Sequence, residues 1–153
     1  MNKLIASVFG LGYLKGGASA ASSVTCIIVW FTWHTPFFHN SWLLLFITVV
    51  LTFLGIYVGN KVEAEWGKDS KHVVIDEVAG MLVTLLFIPA DIKWLIIGFM
   101  LFRLFDNLKP LYIKKMENFK GGWGVMLDDL LAGLYSNITL WLIVFITNRI
   151  SAK

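Results

Sequence analysis

The chain has 153 residues, 58% hydrophobic and only 15% charged, with a net charge of +3. An ordinary soluble domain carries about 25% charged residues, so the composition excludes that class and points to one integral-membrane domain over residues 1–153. The positive charge forms no basic stripe interleaved with aromatics, which excludes a nucleic-acid surface, and a single cysteine excludes an intramolecular disulfide.

The first segment, MNKLIASVFGLGYLKGGASAASS, has the outline of a signal peptide, with Lys3, a short apolar stretch and Ala-Ser-Ala. Gly10, Gly12 and Lys15 interrupt the apolar stretch, and the residues after Ala-Ser-Ala run directly into another hydrophobic segment. The segment therefore reads as retained rather than cleaved. Cys26, inside SVTCII, reads as packing.

Five apolar runs can be marked, at about 21–38, 41–60, 73–89, 92–106 and 125–148. The second and fifth reach the roughly 20 residues that a membrane-crossing helix needs. The first carries Pro36 near its end, and the third and fourth are short, either spanning a thinned region or forming a tight pair broken at Pro89. Backbone in hydrocarbon must satisfy its own hydrogen bonds, so all five read as helices. The expected fold is an all-α polytopic membrane bundle of four to five hydrophobic helices. Between the second and third runs, Glu63 and Glu65 read as a solvated loop face.

With the N-terminus cytoplasmic and all five runs crossing, Lys3, Lys15, Lys61, Lys68, Lys71, Lys109, Lys114, Lys115 and Lys120 lie inside. Only Lys93, Arg149 and Lys153 lie outside, as the positive-inside rule requires. WHTPFFHNS then forms a short uncharged outer loop. Asp76 and Glu77 open the third run, Arg103 and Asp106 close the fourth, and Asp128 and Asp129 open the fifth. The acids converge on one membrane surface.

DEVAG (76–80) and DLLAG (129–133) share a pattern: an aspartate one helical turn before an Ala-Gly pair. Small residues let helices approach closely, so packing the two notches would bring Asp76 and Asp129 together. Bare carboxylates so placed repel, and a divalent cation removes the conflict; oxygen-only ligands favour Mg²⁺, Mn²⁺ or Ca²⁺ over zinc. The bland reading, acids complementing helix dipoles, accounts for one acid per helix start but not for Asp106 at a helix end. Arg103 and Asp106, at i and i+3, either form a structural ion pair or divide between an anionic oxygen and a metal. In KGGWG, Lys120, Gly121 and Gly122 precede a helix start, where backbone N–H groups can approach phosphate; an interfacial turn anchored by Trp123 is the other reading. No histidine stands at ligand or relay spacing.

VVIDEVAGMLVTLLFIP, FRLFDNLKP and GGWGVMLDDLLAG resemble, in order and spacing, the signatures of the phosphatidylglycerophosphatase A family, over roughly residues 69–135. The resemblance implies a magnesium-dependent bacterial inner-membrane enzyme with its site facing the cytoplasm. Such an enzyme hydrolyses the terminal phosphate of the phospholipid phosphatidylglycerophosphate, giving phosphatidylglycerol, the precursor of cardiolipin. It implies catalytic acids Asp76, Glu77, Asp106, Asp128 and Asp129. Of these, Asp76, Glu77, Asp106 and Asp129 would hold Mg²⁺ or, in its place, Mn²⁺. The matching basic residues for phosphate are Arg103 and Lys109, beside the candidates Lys120, Gly121 and Gly122 of the glycine loop, and Asp69 matches an acid ahead of the IDE motif. The N-terminus departs from the family pattern: Gly10, Gly12, Tyr13 and Ser23 are kept, but the prolines and a Gly-Thr pair are absent. Glu117-Asn118 stands where an acid-Arg pair is usual. Rival readings are a CDP-alcohol phosphotransferase, whose longer spaced aspartate series is lacking, an ion-coupled transporter or channel subunit, which would favour acids at mid-membrane, and a noncatalytic membrane scaffold.

Overall fold

The structure, a computed structural model, describes every residue except 36–40, 68–69, 111, 117 and 152–153. The described residues are all-helical, with no strand. In chain order they are α1 (Asn2–Ala6), a 3₁₀ turn (Leu11–Tyr13), α2 (Gly17–Trp33), α3 (Ser41–Trp66), α4 (Ile75–Leu85), α5 (Ile92–Leu108), α6 (Ile113–Met116) and α7 (Gly122–Ser151).

Two helices, α3 with 26 residues and α7 with 30, are long and apolar enough to cross a membrane. At 1.5 Å per residue they measure roughly 40 and 45 Å, more than the hydrocarbon thickness of about 30 Å. α2 is a shorter apolar helix. The third apolar run condenses to an 11-residue helix, α4, which by itself covers only about 16 Å. Within α4, Met81, Leu82 and Leu85 are buried against α2, α5 and α7, and Ala79 against α3 and α7. Its C-terminal carbonyls are satisfied from outside the helix, since Asn137 Nδ2 on α7 donates to the oxygens of Thr84 and Leu86, both at 2.9 Å. Phe87 then turns at φ 60°, and Asp91 restarts the chain as the N-cap of α5, its side chain accepting from Lys93 N at 2.9 Å. That hydrogen bond also holds the Asp91 carboxyl below its ordinary range.

α7 is the central post, packing on α3, α4, α5 and α6. α3 offers it Gly55 and Gly59, a small-residue stripe that permits close approach. A Cβ on Gly59 would stand 2.8 Å from Gly122 Cα, and one on Gly55 would strike the Met126 thioether. α4 meets α7 notch to notch, as the DEVAG and DLLAG pattern suggests: a Cβ on Gly80 would lie 2.6 Å from the Asp129 carbonyl oxygen, and one on Gly133 would overlap the Gly80 carbonyl.

The outer faces are apolar. Ile27, Phe31, Phe46, Val50, Phe53, Met100, Leu104, Ile138, Leu142 and Phe145 are all exposed on α2, α3, α5 and α7, while Ser22, Thr25, Thr84 and Ser136 are buried. Exposed apolar faces of this extent mark a membrane or protein contact. One expectation is corrected. Glu63 and Glu65 do not lie in a loop, because α3 continues to Trp66 and Glu65 pairs with Lys3 of α1.

Candidate metal and phosphate site

α2, α4 and α7 begin, and α3 and α5 end, at the same end of the molecule, as the cross-contacts there establish. Ser22 Oγ on α2 donates to Glu77 Oε2 on α4 at 3.0 Å. Arg103 Nη1 on α5 donates to the same oxygen at 2.7 Å and lies 3.1 Å from Asp106 Oδ2. Lys109, which ends α5 in a left-handed conformation (φ 44°), reaches Asp128 Oδ2 on α7 at 2.6 Å. Asn60 Oδ1 on α3 accepts the Gly122 N–H at 2.8 Å.

Asp76, Glu77, Asp106, Asp128 and Asp129 are all buried, with 4–9% of their surface exposed. Ionised carboxylates are rarely buried without partners. Among the described residues these five face two basic groups, Arg103 and Lys109, so with all five ionised the cluster would carry a surplus of negative charge. One carboxylate oxygen from each of Glu77, Asp106 and Asp129 lies within 4.8 Å of the other two. Three acids on three helices can hold a metal ion, and a donor set made only of oxygen suits a hard divalent cation.

The pairing differs in detail from the sequence expectation. The Ala-Gly notches do pack together and Asp76 lies beside Asp129, while the α4 acid in the triad is Glu77. Adjacent residues on a helix project about 100° apart, and Asp76 Oδ1 turns back to accept the Glu77 N–H at 2.9 Å. Asp128 is likewise outside the triad and engages Lys109. Gly121 and Gly122 serve close packing: Gly121 has φ 65°, and a Cβ on Gly122 would overlap the Ile56 carbonyl of α3. Gly122 lies seven residues before Asp129, about 10 Å along the helix, and Lys120 is exposed beyond it. The structure does not bring these three residues among the carboxylates. Asp69, Glu117, Lys68, Lys153, Pro36 and His39 lie outside the described residues.

Ser22 and Asn60 escaped the sequence reading. Ser22 belongs to the buried stripe Gly17, Ala21, Ser22, Thr25, Cys26 and Val29, whose i, i+4, i+5, i+8 spacing marks a helix face; a hydroxyl on that face is the signal that was present.

A family model for phosphatidylglycerophosphatase A matches residues 4–144. A protein of Bacteroides thetaiotaomicron, named provisionally as a phosphatidylinositol-3-phosphatase, is 42% identical over 142 residues, covering 90% of this chain and 89% of its own. Phosphatidylglycerophosphatase A of Escherichia coli is 32% identical over 144 residues, 92% of this chain and 81% of its own. The Haemophilus influenzae protein of the same name is 36% identical over 104 residues, 66% of this chain and 64% of its own. No solved structure matches the chain.

Proposed function

Because the chain belongs to the phosphatidylglycerophosphatase A family, we propose that it is a single-domain, multi-pass membrane phosphatase that hydrolyses the terminal phosphomonoester of phosphatidylglycerophosphate. The products are phosphatidylglycerol and inorganic phosphate. The observation that carries this reading is the convergence of Glu77, Asp106 and Asp129 from three helices beside Arg103. The three carboxylates hold Mg²⁺ or Mn²⁺, which supplies Lewis-acid charge for phosphoryl transfer.

The chain's own groups do the rest. Arg103 makes both carboxylate contacts through Nη1, so its planar fork keeps further N–H donors for a phosphoryl oxygen. Lys109, held by Asp128, adds a second positive charge against the phosphoryl group as negative charge develops on it. Asp76 fixes the first turn of α4 and with it the direction of Glu77. Lys120, at the exposed start of α7, attracts the anionic lipid surface.

Lys3, Lys15, Lys61, Lys71, Lys109, Lys114, Lys115 and Lys120 belong to the end that carries the acids, against Lys93 and Arg149 at the other. That asymmetry supports a cytoplasmic site in the bacterial inner membrane. Acids at the ends of helices, and relatives named as phosphatases, favour hydrolysis over ion transport.

The Bacteroides relative supports a second substrate, a lipid whose phosphomonoester sits on an inositol ring. Purified protein in detergent, given phosphatidylglycerophosphate and phosphatidylinositol 3-phosphate separately, separates the two by phosphate release. Faster turnover of phosphatidylglycerophosphate is expected; turnover of the inositol lipid alone would overturn the assignment.

Ser22 enters as a positioning residue for Glu77. Ser22→Ala is expected to lower kcat about tenfold, in the range seen when groups behind a metal ligand are removed, with KM little changed. Ser22→Thr, which keeps the hydroxyl, is expected to restore most of that loss; equal losses in both variants would contradict the hydrogen-bond role.

A further inference from the structure

A cavity of about 450 Å³ opens between the start of α2 and the segment leading into α4, lined by Lys15, Lys71, His72, Tyr13 and Ala18 among others. Among the described residues its lining includes three basic side chains and no acid. The walls are fixed. Gly12 lies so close to His72 that a Cβ would overlap the His72 carbonyl. The Val74 N–H donates to Ala6 O at 2.9 Å. Tyr13 and Trp66 flank the His72 ring, with centroids at 5.1 and 5.5 Å, and Gly16 supplies the turn into α2 at φ 84°.

The cavity shares both of its walls with the carboxylate centre. Ala18 lines it, and Ser22, one turn further along α2 and about 6 Å away along the axis, bonds Glu77. His72 leads within five residues into Asp76 and Glu77. A lipid with its phosphomonoester at the carboxylates presents its other phosphate one glycerol away. With the phosphomonoester held at the carboxylate centre, the second anion falls outside it, and a cleft lined by two lysines suits that charge. The volume exceeds that of a phosphate ion and lies within the usual range for small-ligand pockets.

We propose that the cleft between Lys15 and Lys71 is the subsite for the phosphodiester of the lipid headgroup, and that it selects substrates carrying a second phosphate one glycerol from the one removed. This rests on the phosphatase reading above, so the test has an arm that needs no turnover. Dioctanoyl phosphatidylglycerol, which carries the phosphodiester but no phosphomonoester, is titrated in EDTA against wild type, Lys15→Ala/Lys71→Ala and a Lys114→Ala control. Binding is followed by tryptophan fluorescence, with Trp66→Phe identifying the reporter.

The double variant is expected to bind about tenfold more weakly, the scale of losing charge-assisted hydrogen bonds, and the control to match wild type. Its kcat/KM for phosphatidylglycerophosphate relative to para-nitrophenyl phosphate is expected to fall by a similar factor, through KM. Unchanged lipid affinity in the double variant, or displacement of the lipid by inorganic phosphate at equal concentration, would overturn the proposal. A wild type that binds the short lipid through these lysines but hydrolyses nothing would refute the phosphatase reading and leave the subsite standing.

Discussion

Asp129→Asn is expected to lower kcat/KM for phosphatidylglycerophosphate by about 10³-fold or more, the largest effect of any single substitution in the chain. The change keeps the shape of the side chain and removes only its charge. Asp129 is 4% exposed and contributes one of three carboxylate oxygens gathered within 4.8 Å. A cation held by three acids and left with two loses much of its hold, and several kcal/mol of transition-state charge stabilisation depend on it, each 1.36 kcal/mol being tenfold in rate. Folding should not suffer, because the cluster already has more buried carboxylates than cations to match them. The checks are steady-state kinetics and the thermal transition of the same preparation. Activity within tenfold of wild type would remove Asp129 from the centre.

The second large effect is steric. Gly133→Val is expected to destabilise the protein by about 1–3 kcal/mol or more, the cost of overpacking a tight contact. Its activity should drop about 100-fold even where it remains folded. A side chain at 133 meets the Gly80 carbonyl, which is backbone and cannot rotate away. The only relief is separation of α4 from α7, which carries Glu77 away from Asp129, and a misplacement of about 1 Å in a reacting centre costs about 10²-fold. Thermal unfolding in detergent and kcat measured together check this. A variant with wild-type stability and activity would mean that the notches are not the contact that aligns the two acids.

Much of this arrangement was legible in the chain because it comes from local pattern. The repeated Asp-to-Gly spacing of DEVAG and DLLAG announced two helices packed at small residues, and the helix ends carrying acids announced their convergence. What the pattern could not give was which of the two buried α4 acids joins the triad. Asp76 and Glu77 are neighbours, and the choice is made by tertiary contacts: Ser22 and Arg103 engage Glu77, while Asp76 is taken up by a backbone N–H.

Glycines before a helix raised a second ambiguity. A missing Cβ serves phosphate approach and helix packing equally well, and Gly121 and Gly122 are used for the latter, against Asn60 and Ile56. The third apolar run was too long by the same logic, since hydropathy does not register that Asn137, more than 50 residues away in sequence, satisfies the end of α4. Polar residues inside apolar runs, such as Ser22, Asn60 and Asn137, carry information only when their distant partners are known.

The central claim is that the triad of Glu77, Asp106 and Asp129 works with a divalent cation on a lipid phosphomonoester. It is tested most directly by phosphate release from phosphatidylglycerophosphate with purified protein in Mg²⁺, after EDTA, and after Mg²⁺ is restored in excess. The expected result is turnover in Mg²⁺, its loss in EDTA and its recovery on restoration, with Asp129→Asn inactive throughout. Turnover that persists in EDTA at the wild-type rate would contradict the metal-dependent centre.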